Sequence, residues 1–253
     1  MSAPPELIDL LGARRGIVCV VGAGGKKSVI YQLVGDHPGR VAVTTTVHMT
    51  EIPDALSVHR IIDDDAALAD RVLAAGNARR VAYAQPSHKP GRMAGASPAT
   101  IAAIHERGGF ETTFVKADGA RMRWIKAPAE GEPLIVPGVD TVIPVVSARA
   151  IGEPLDERVA HRVENVAAVT GVPRGKPLVP EAVGRLLASE DGALRGTSGA
   201  RVAPVINMVD NDEREELARA AATAALAQTT RFDNVVLCCL RRPSAPIVAL
   251  VTR

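Results

Sequence analysis

The chain has 253 residues and a formal net charge of only +2, and 47% of its residues are hydrophobic while 2% are aromatic. This length supports one large α/β domain, and a core of aliphatic side chains suits parallel strands covered by helices. The small net charge, with no basic stretch interleaved with aromatic residues, argues against a nucleic-acid partner. The N-terminal residues lack a signal-peptide pattern, and no apolar segment approaches the ~18 residues that span a bilayer. We therefore expect a cytoplasmic protein with no membrane partner.

The predicted secondary structure alternates between strands and helices. Helices are predicted over residues 6–12, 29–34, 66–75, 101–107, 158–169, 179–187 and 213–227. Strands are predicted over residues 18–21, 41–47, 80–84, 113–117, 141–146, 202–210, 234–240 and 246–251. The first two strands, joined by a helix, predict a right-handed βαβ unit. Pro144 in the fifth strand predicts a sheet edge or a strand end, because proline cannot donate to the ladder.

A glycine-rich turn is predicted between the first strand and the helix that follows it. Glycines are expected where the backbone takes positive φ or approaches a ligand closely. Lysines at the start of a helix lie at the positive end of its dipole, a position that a bound anion stabilises. We predict that this turn binds the phosphates of a nucleotide through Gly22, Ala23, Gly24, Gly25, Lys26, Lys27 and Ser28.

The turn departs from the full P-loop signature, G-x-x-x-x-G-K-[ST]. Aligning Gly25 and Lys26 on its G-K places Lys27 where the magnesium-binding hydroxyl belongs, and Ser28 comes one residue late. A glycine-rich turn with surface lysines is the alternative interpretation. A dinucleotide-binding fingerprint fits less well, because Lys27 stands where its third glycine would be.

Hydroxyl groups end the strand over residues 41–47. Thr44, Thr45 and Thr46 lie at the carboxyl edge of the predicted sheet, where ligands of open α/β sheets bind. We take Thr44, Thr45 and Ser28 as candidate magnesium ligands. The alternative is that the threonines reflect only β propensity.

A second candidate site follows the strand over residues 113–117. Asp118 and Gly119 come directly after this strand. A strand-end carboxylate is suited to holding Mg²⁺ near the γ-phosphate of a nucleotide. We therefore predict Asp118 as a magnesium ligand and, with Lys26, as a catalytic residue. Asp-Gly is also a common turn dipeptide, which is the alternative interpretation.

Charged residues cluster in the chain after this acid. Arg123, Lys126 and Glu132 lie in a proline-containing loop, and His161 and Arg162 follow further on. Groups of this kind beside a strand-end carboxylate could bind an anionic substrate. A solvated charged surface is the alternative.

An N-x-x-D motif ends the strand over residues 202–210. In G-protein-like folds N-K-x-D at this point reads a guanine base, and here Asn207 and Asp210 keep the polar groups while Met208 replaces the lysine. The pattern predicts that Asn207 and Asp210 bind the base of the nucleotide.

These motifs together resemble the YqeC family. The resemblance is carried by Gly22-Ala23-Gly24-Gly25-Lys26, Thr44-Thr45-Thr46-Val47-His48, Lys116-Ala117-Asp118-Gly119, Lys126-Ala127-Pro128-Ala129-Glu130-Gly131-Glu132-Pro133, His161-Arg162 and Asn207-Met208-Val209-Asp210. That family is described as a selenium-dependent hydroxylase accessory protein or selenium-cofactor biosynthesis protein. The resemblance implies a role in maturing the molybdopterin-type cofactor of molybdenum hydroxylases. Such an enzyme, or its cofactor-maturation proteins, would be the partner.

Two positions depart from the family's usual pattern. Family members usually read G-K-T at the turn, where this chain has Lys27, and they usually have histidine before Glu132, where this chain has Gly131. The first departure bears directly on magnesium coordination.

The expected fold class is α/β, a mostly parallel sheet flanked by helices and similar to P-loop NTPases. We expect one domain over residues 1–253, in which residues 121–200 could form an inserted lobe. The expected ligands are ATP or GTP with Mg²⁺, and the expected activity is slow hydrolysis or switching. One alternative is a non-hydrolysing carrier of a molybdopterin-type phosphate ligand, and another is a kinase or nucleotidyl transferase acting on a cofactor precursor.

Overall fold

A ten-stranded sheet runs through the protein, and helices cover both of its faces. The computed structural model describes residues 6–253. The helices are α1 (Leu7–Leu10), α2 (Lys26–Asp36), α3 (Asp65–Ala74), α4 (Pro98–Gly108), α5 (Val163–Thr170), α6 (Pro180–Ala188) and α7 (Asp212–Gln228). No helix in this part of the chain has the length and apolar composition needed to cross a membrane.

The strands alternate with these helices along the chain. They are β1 (Gly16–Gly22), β2 (Val41–Thr45), β3 (Met49–Thr50), β4 (His59–Ile62), β5 (Arg80–Ala84), β6 (Arg92–Met93), β7 (Thr112–Lys116), β8 (Ile125–Lys126), β9 (Thr141–Ser147), β10 (Ala160–His161), β11 (Arg201–Val202), β12 (Val205–Asn207), β13 (Asn234–Cys238) and β14 (Ile247–Thr252). The prediction of a mixed α/β fold is confirmed.

The main sheet has the order β4-β5-β2-β7-β1-β9-β12-β13-β14, and β11 also pairs with β9. All of its neighbours are parallel except β13 and β14. Two short pairs lie outside it, β3 with β6 and β8 with β10. Because β7, β1 and β9 are adjacent and parallel, their carboxyl ends meet at one edge of the sheet.

Alternate residues of each strand face opposite layers of the core. In β1, Val18 and Val20 pack with α1 and α2, while Ile17, Cys19 and Val21 pack with α3 and α4 on the other face. Helices α5, α6 and α7 cover the β12 and β13 end of that second face. This double cover explains why the strands are apolar on both sides.

The expectation that Pro144 marks a sheet edge or a strand end is wrong, because it is the central residue of β9. Strand β9 lies inside the sheet, with β1 on one side and β11 and β12 on the other. The partner on that second side is interrupted, because β11 pairs with Thr141 and Val142 and β12 begins only opposite Val145. Pro144 therefore lies where the neighbouring ladder has a gap, so its missing N–H costs no pairing.

Two predicted elements have different bounds for a local reason. The helix predicted over residues 158–169 begins only at Val163, because Arg162 has a left-handed backbone with φ 65° and β10 occupies residues 160–161. The strand predicted over residues 202–210 is divided at Ala203 and Pro204 into β11 and β12. The single domain with a lobe at residues 121–200 stays a prediction, although β9 from that segment is an interior strand of the main sheet.

Candidate functional site

The glycine-rich turn joins β1 to α2 at the carboxyl edge of the sheet. Gly22, Gly24 and Gly25 have φ values of 90°, 78° and 121°, as expected for glycines in a phosphate-binding turn. A side chain on Gly22 would collide with the carbonyl of Val145, and one on Gly25 would collide with the amide of Asn207. The glycines are therefore needed both for their backbone angles and for close packing against β9 and β12.

Backbone amides in the turn fall into two groups. Those of Gly22, Ala23 and Gly24 donate within the protein, to Asp118 Oδ2, Val145 O and Arg123 O at 3.0, 2.8 and 3.0 Å. Those of residues 25–28 donate to no acceptor in the part of the chain that the structure describes, and no side chain caps α2. The first turn of α2 therefore presents four free N–H groups, which is how helix N-termini bind anions.

Lys26 is the first residue of α2, and its side chain is buried. Its Nζ donates to Gly22 O and lies 2.8 Å from Asp118 Oδ1. Burial lowers the pKa of Lys26, and the nearby Asp118 carboxylate opposes this shift. Lys26 and Asp118, each predicted as a catalytic residue, are thus in direct contact.

Asp118 follows β7 and lies between two buried lysines. Its Oδ2 is 2.9 Å from Lys126 Nζ, which also donates to Gly119 O at 2.7 Å and to Glu132 Oε2 at 2.6 Å. Glu132 in turn accepts two hydrogen bonds of 2.7 Å from the guanidinium of Arg162. Lys26, Asp118, Lys126, Glu132 and Arg162 form a continuous series of alternating charges, called here the ion-pair chain.

The ion-pair chain and its neighbour Lys116 carry more positive than negative charge. Three cations and two carboxylates make up the chain. Lys116, at the end of β7, is also buried, and its Nζ donates to His48 O at 3.2 Å. Burial and the nearby cations, Lys26 first among them, lower the pKa of Lys116 to about 7. The edge of the sheet therefore favours an anionic ligand.

Two of the predicted magnesium ligands form hydrogen bonds within the protein. Thr44 Oγ1 donates to Tyr83 O at 2.7 Å, and Thr45 Oγ1 donates to Lys116 O at 2.9 Å. Ser28 is exposed on α2. Within residues 6–253, no group of three His, Cys, Asp or Glu side chains is arranged to hold a metal ion. The magnesium site stays a prediction.

Lys27 has a different role from Lys26. Its Nζ donates to Thr50 Oγ1 at 2.7 Å, on the side of the turn formed by β3 and β6. Burial and the nearby Arg92 lower the pKa of Lys27. Lys27 therefore contacts β3 and not the ion-pair chain.

The N-x-x-D motif reaches the turn through its asparagine. Asn207 is buried and donates from Nδ2 to Gly24 O at 2.9 Å. Asp210 forms an ion pair with Arg149, a partner that the sequence motif does not indicate. Met208 adopts a left-handed backbone with φ 63° between them. Asn207 thus shapes the turn, and recognition of a base by this motif stays a prediction.

The remaining predicted substrate residues lie beside the turn. Arg123, His161 and Arg162 line a cavity of about 540 Å³. Burial, together with Arg162 and Lys126, lowers the pKa of His161 to about 4, so its imidazole is neutral near pH 7. Lys126 and Glu132 belong instead to the ion-pair chain.

Lys116 was missed as a site residue although its sequence context carried a signal. It is the charged end of the apolar stretch 112–116, directly before Ala117 and Asp118. A lysine at the buried end of an interior strand is a candidate site residue, because an unpaired buried charge is costly and such a group is paired, binds a ligand or loses its proton.

Comparison with known proteins assigns the chain to a family. The sequence model described as "YqeC: YqeC protein" matches residues 18–164, more than half of the chain. The chain belongs to the YqeC family. "Uncharacterized protein YqeC" of Escherichia coli (strain K12) is 31% identical over 176 residues, which is 67% of each protein. The YqeC match includes the glycine-rich turn and all members of the ion-pair chain, whereas Asn207 and Asp210 lie beyond it.

Proposed function

We propose that this YqeC-family protein binds a nucleotide through its phosphates at the N-terminus of α2. The observation that carries the proposal is the set of four amides, those of residues 25–28, that donate to no described acceptor beside the buried ammonium of Lys26. The amides and the helix dipole favour an anion, and the excess positive charge of the surrounding lysines adds to this preference.

The ammonium group of Lys26 is placed to exchange its acceptors within the protein for the oxygens of a bound phosphate. Its present acceptors are a carbonyl of the turn and the Asp118 carboxylate. A phosphate at the free amides would offer it charged oxygens, while Lys126 would remain paired with Asp118. The negative charge of the bound phosphate would then offset the excess positive charge of the lysines at the site.

The contacts of Asp118 favour a carrier that does not hydrolyse its ligand. Both carboxylate oxygens already contact lysines, and Oδ2 also accepts from the amide of Gly22. The hydroxyls of Thr44 and Thr45, two of the predicted magnesium ligands, already donate to backbone carbonyls, which also favours a ligand held without Mg²⁺. Magnesium-dependent hydrolysis of ATP or GTP is the second candidate, supported by the place of Asp118 at the end of a strand adjacent to β1.

The family supplies the expected context for this activity. The resemblance described above implies maturation of selenium-dependent molybdenum hydroxylases, with a molybdopterin-type nucleotide as the carried ligand. A molybdenum hydroxylase or one of its cofactor-maturation proteins would be the partner, in the cytoplasm.

Titration calorimetry of the purified protein tests nucleotide binding. ATP, GTP and a molybdopterin dinucleotide are each titrated with and without Mg²⁺, into the wild type and into Lys26→Met. We expect at least a tenfold loss of affinity in this variant, since a charge-assisted contact to phosphate is lost. Lys176→Met is the matched control, because Lys176 is an exposed lysine in the loop before α6.

Two outcomes separate the candidates. Full nucleotide affinity in a folded Lys26→Met protein would exclude the α2 site. Release of phosphate from ATP or GTP by the wild type, lost in Asp118→Asn, would favour the hydrolase over the carrier.

A further inference from the structure

The cavity lined by Arg123, His161 and Arg162 adjoins the glycine-rich turn and has more cationic than anionic side chains in its wall. Its volume is about 540 Å³, which lies within the range of small-molecule sites. It touches the turn through Arg123, whose carbonyl accepts the amide of Gly24 at 3.0 Å. The charged residues that line it are Arg121, Arg123, Arg162, Arg174, Glu157 and Glu164.

Two of the four arginines lack a carboxylate partner. Arg174 pairs with Glu157 at 2.5 Å and with Glu164 at 3.5 Å, and Arg162 pairs with Glu132. Arg121 and Arg123 form no ion pair with any carboxylate in residues 6–253. The cavity therefore presents two uncompensated guanidinium groups.

The loop that carries these two arginines is held in an unfavourable backbone conformation. Arg121 and Met122 have φ values of 45° and 62°, and the Met122 side chain is 95% exposed. Two backbone hydrogen bonds hold the loop in place. Arg123 N donates to Ala120 O at 2.8 Å, and Trp124 N donates to Val159 O at 2.9 Å. Non-glycine residues with positive φ are uncommon, and they cluster at active sites and ligand-binding loops.

Backbone donors complete the wall of the cavity. The amides of residues 163–165, at the start of α5, donate to no acceptor in the described chain, and all three residues line the cavity. Neutral His161 adds a ring nitrogen without adding charge. The cavity thus combines guanidinium forks with free N–H groups, the donors that planar or tetrahedral oxyanions require.

We infer that this cavity is a second binding site, which takes the phosphate or pyrophosphate group of a small phosphorylated molecule. It is built from the 121–123 loop, β10 and the start of α5, whereas the proposed nucleotide site is built from β1 and α2. The two sites share only the Arg123 carbonyl and the ion-pair chain between Lys26 and Arg162. The inference therefore does not depend on nucleotide binding at α2.

Calorimetric titration of the full chain with inorganic pyrophosphate tests the second site. The variants are Lys26→Met, which removes the ammonium group of the α2 site and leaves every residue that lines the cavity in place, and the double variant Arg121→Gln/Arg123→Gln. Arg15→Gln/Arg107→Gln is the matched control, because it removes the same charge from two exposed arginines that form no ion pair with any other described residue. Fluorescence of Trp124, the single tryptophan of the chain, reports binding next to the loop.

We expect pyrophosphate to bind Lys26→Met with a change in Trp124 fluorescence. Its affinity for the cavity should fall at least tenfold in Arg121→Gln/Arg123→Gln and stay within twofold in the control. Equal losses in both double variants, or no loss in either, would overturn the inference. Parallel loss of ATP and GTP binding, with one-for-one competition by pyrophosphate, would also overturn it, because the arginines would then belong to a single nucleotide site. Failure of ATP and GTP to bind, with pyrophosphate binding intact, would count only against the nucleotide proposal.

Discussion

Lys26 and Lys27 are neighbours in the sequence, yet their ammonium groups lie in opposite environments. Lys26 points inward to Asp118, whereas Lys27 contacts Thr50 in β3. Successive residues of a helix are separated by about 100° around its axis, so only one of two adjacent lysines can face the sheet edge. The sequence places both lysines in the predicted phosphate-binding turn, and alignment on the G-K of the P-loop signature selects Lys26 as the catalytic candidate, but the contact of Lys27 with Thr50 is not indicated by the sequence.

The buried Lys116 predicts a specific dependence of stability on pH. Its pKa is about 7 in the folded protein, lowered from the ordinary value of 10.5. Between these two values the unfolded chain holds a proton that the folded protein has released, so stability should rise from pH 7 to pH 10.5. The slope from one such group is at most about 1.4 kcal/mol per pH unit.

Urea unfolding at pH 7, 8 and 9 measures this slope. Lys116→Met should be more stable than the wild type at pH 7, and the difference should shrink as the pH rises. Lys176→Met, an exposed lysine, should keep the wild-type slope. An unchanged slope in Lys116→Met would show that Lys116 is fully protonated in the folded protein.

Helices α6 and α7 pack through small residues. Gly184 of α6 faces Ala221, Ala224 and Ala225 of α7, and a Cβ at this position would lie within 3 Å of all three. Glycine inside a helix normally weakens it. Here its absent side chain lets two helices approach closely beneath β12 and β13.

Alanine substitutions at two helical glycines should therefore have opposite effects. Gly184→Ala should destabilise the protein by about 1–3 kcal/mol, because the helices must separate. Gly35→Ala, near the end of α2, meets no atom within 4 Å and should stabilise the protein by roughly 0.5–1 kcal/mol. Thermal unfolding of both variants checks the signs, and a stabilised Gly184→Ala would contradict the close packing.

Long periodic elements were predictable from the sequence, and short ones were not. The strand over residues 80–84 has the predicted bounds, and α7 extends the predicted helix by one residue at each end. The two-residue strands β8 and β10 carry no periodic pattern, since they form only by pairing with each other. The position of Pro144 inside the sheet was not predictable either, because it depends on the gap between β11 and β12, which come later in the sequence.

The order of the strands is a property of the whole molecule. Strand β1 is bordered by β7 and β9, which lie about 95 and 125 residues further along the chain. The parallel α/β class follows from apolar strands alternating with helices. The neighbours of β1 do not follow from that alternation, because each crossover can place the next strand on either side.

The candidate site was also predictable from the sequence only in part. The sequence indicated Lys26 because it follows a glycine-rich turn, and Asp118 and Asn207 because they come at strand ends; the strands concerned end at one edge of the sheet. It did not indicate that Lys126 and Glu132 would join Asp118 to Arg162, since these contacts depend on how the segment after β7 folds back.

Glu132 predicts how the ion-pair chain contributes to stability. Burial opposes its ionisation, but hydrogen bonds from Arg162 and Lys126 lower its pKa to about 2 from the ordinary 4.5. A carboxylate with a lowered pKa stabilises the folded state above pH 4.5, and this contribution is lost as the pH falls toward 2. Glu132→Gln should cost about 2 kcal/mol at pH 7, because Lys126 and Arg162 lose their shared partner.

Urea unfolding of Glu132→Gln at pH 7 and pH 3 measures this contribution. The difference from the wild type should be smaller at pH 3. Glu130→Gln, an exposed neighbour without an ion pair in the described chain, should match the wild type at both pH values. A constant difference between pH 7 and pH 3 would mean that packing, and not charge, explains the loss.

The alternation of charge from Lys26 to Arg162 also restricts how the sequence can diverge. Each interior member contacts two groups of opposite sign, so replacing one alone leaves like charges facing each other or a buried ion without a partner. Substitutions at Asp118, Lys126, Glu132 and Arg162 can therefore accumulate only in compensating sets. These four positions should covary among relatives, and their joint replacement would identify branches in which the two proposed anion sites have changed.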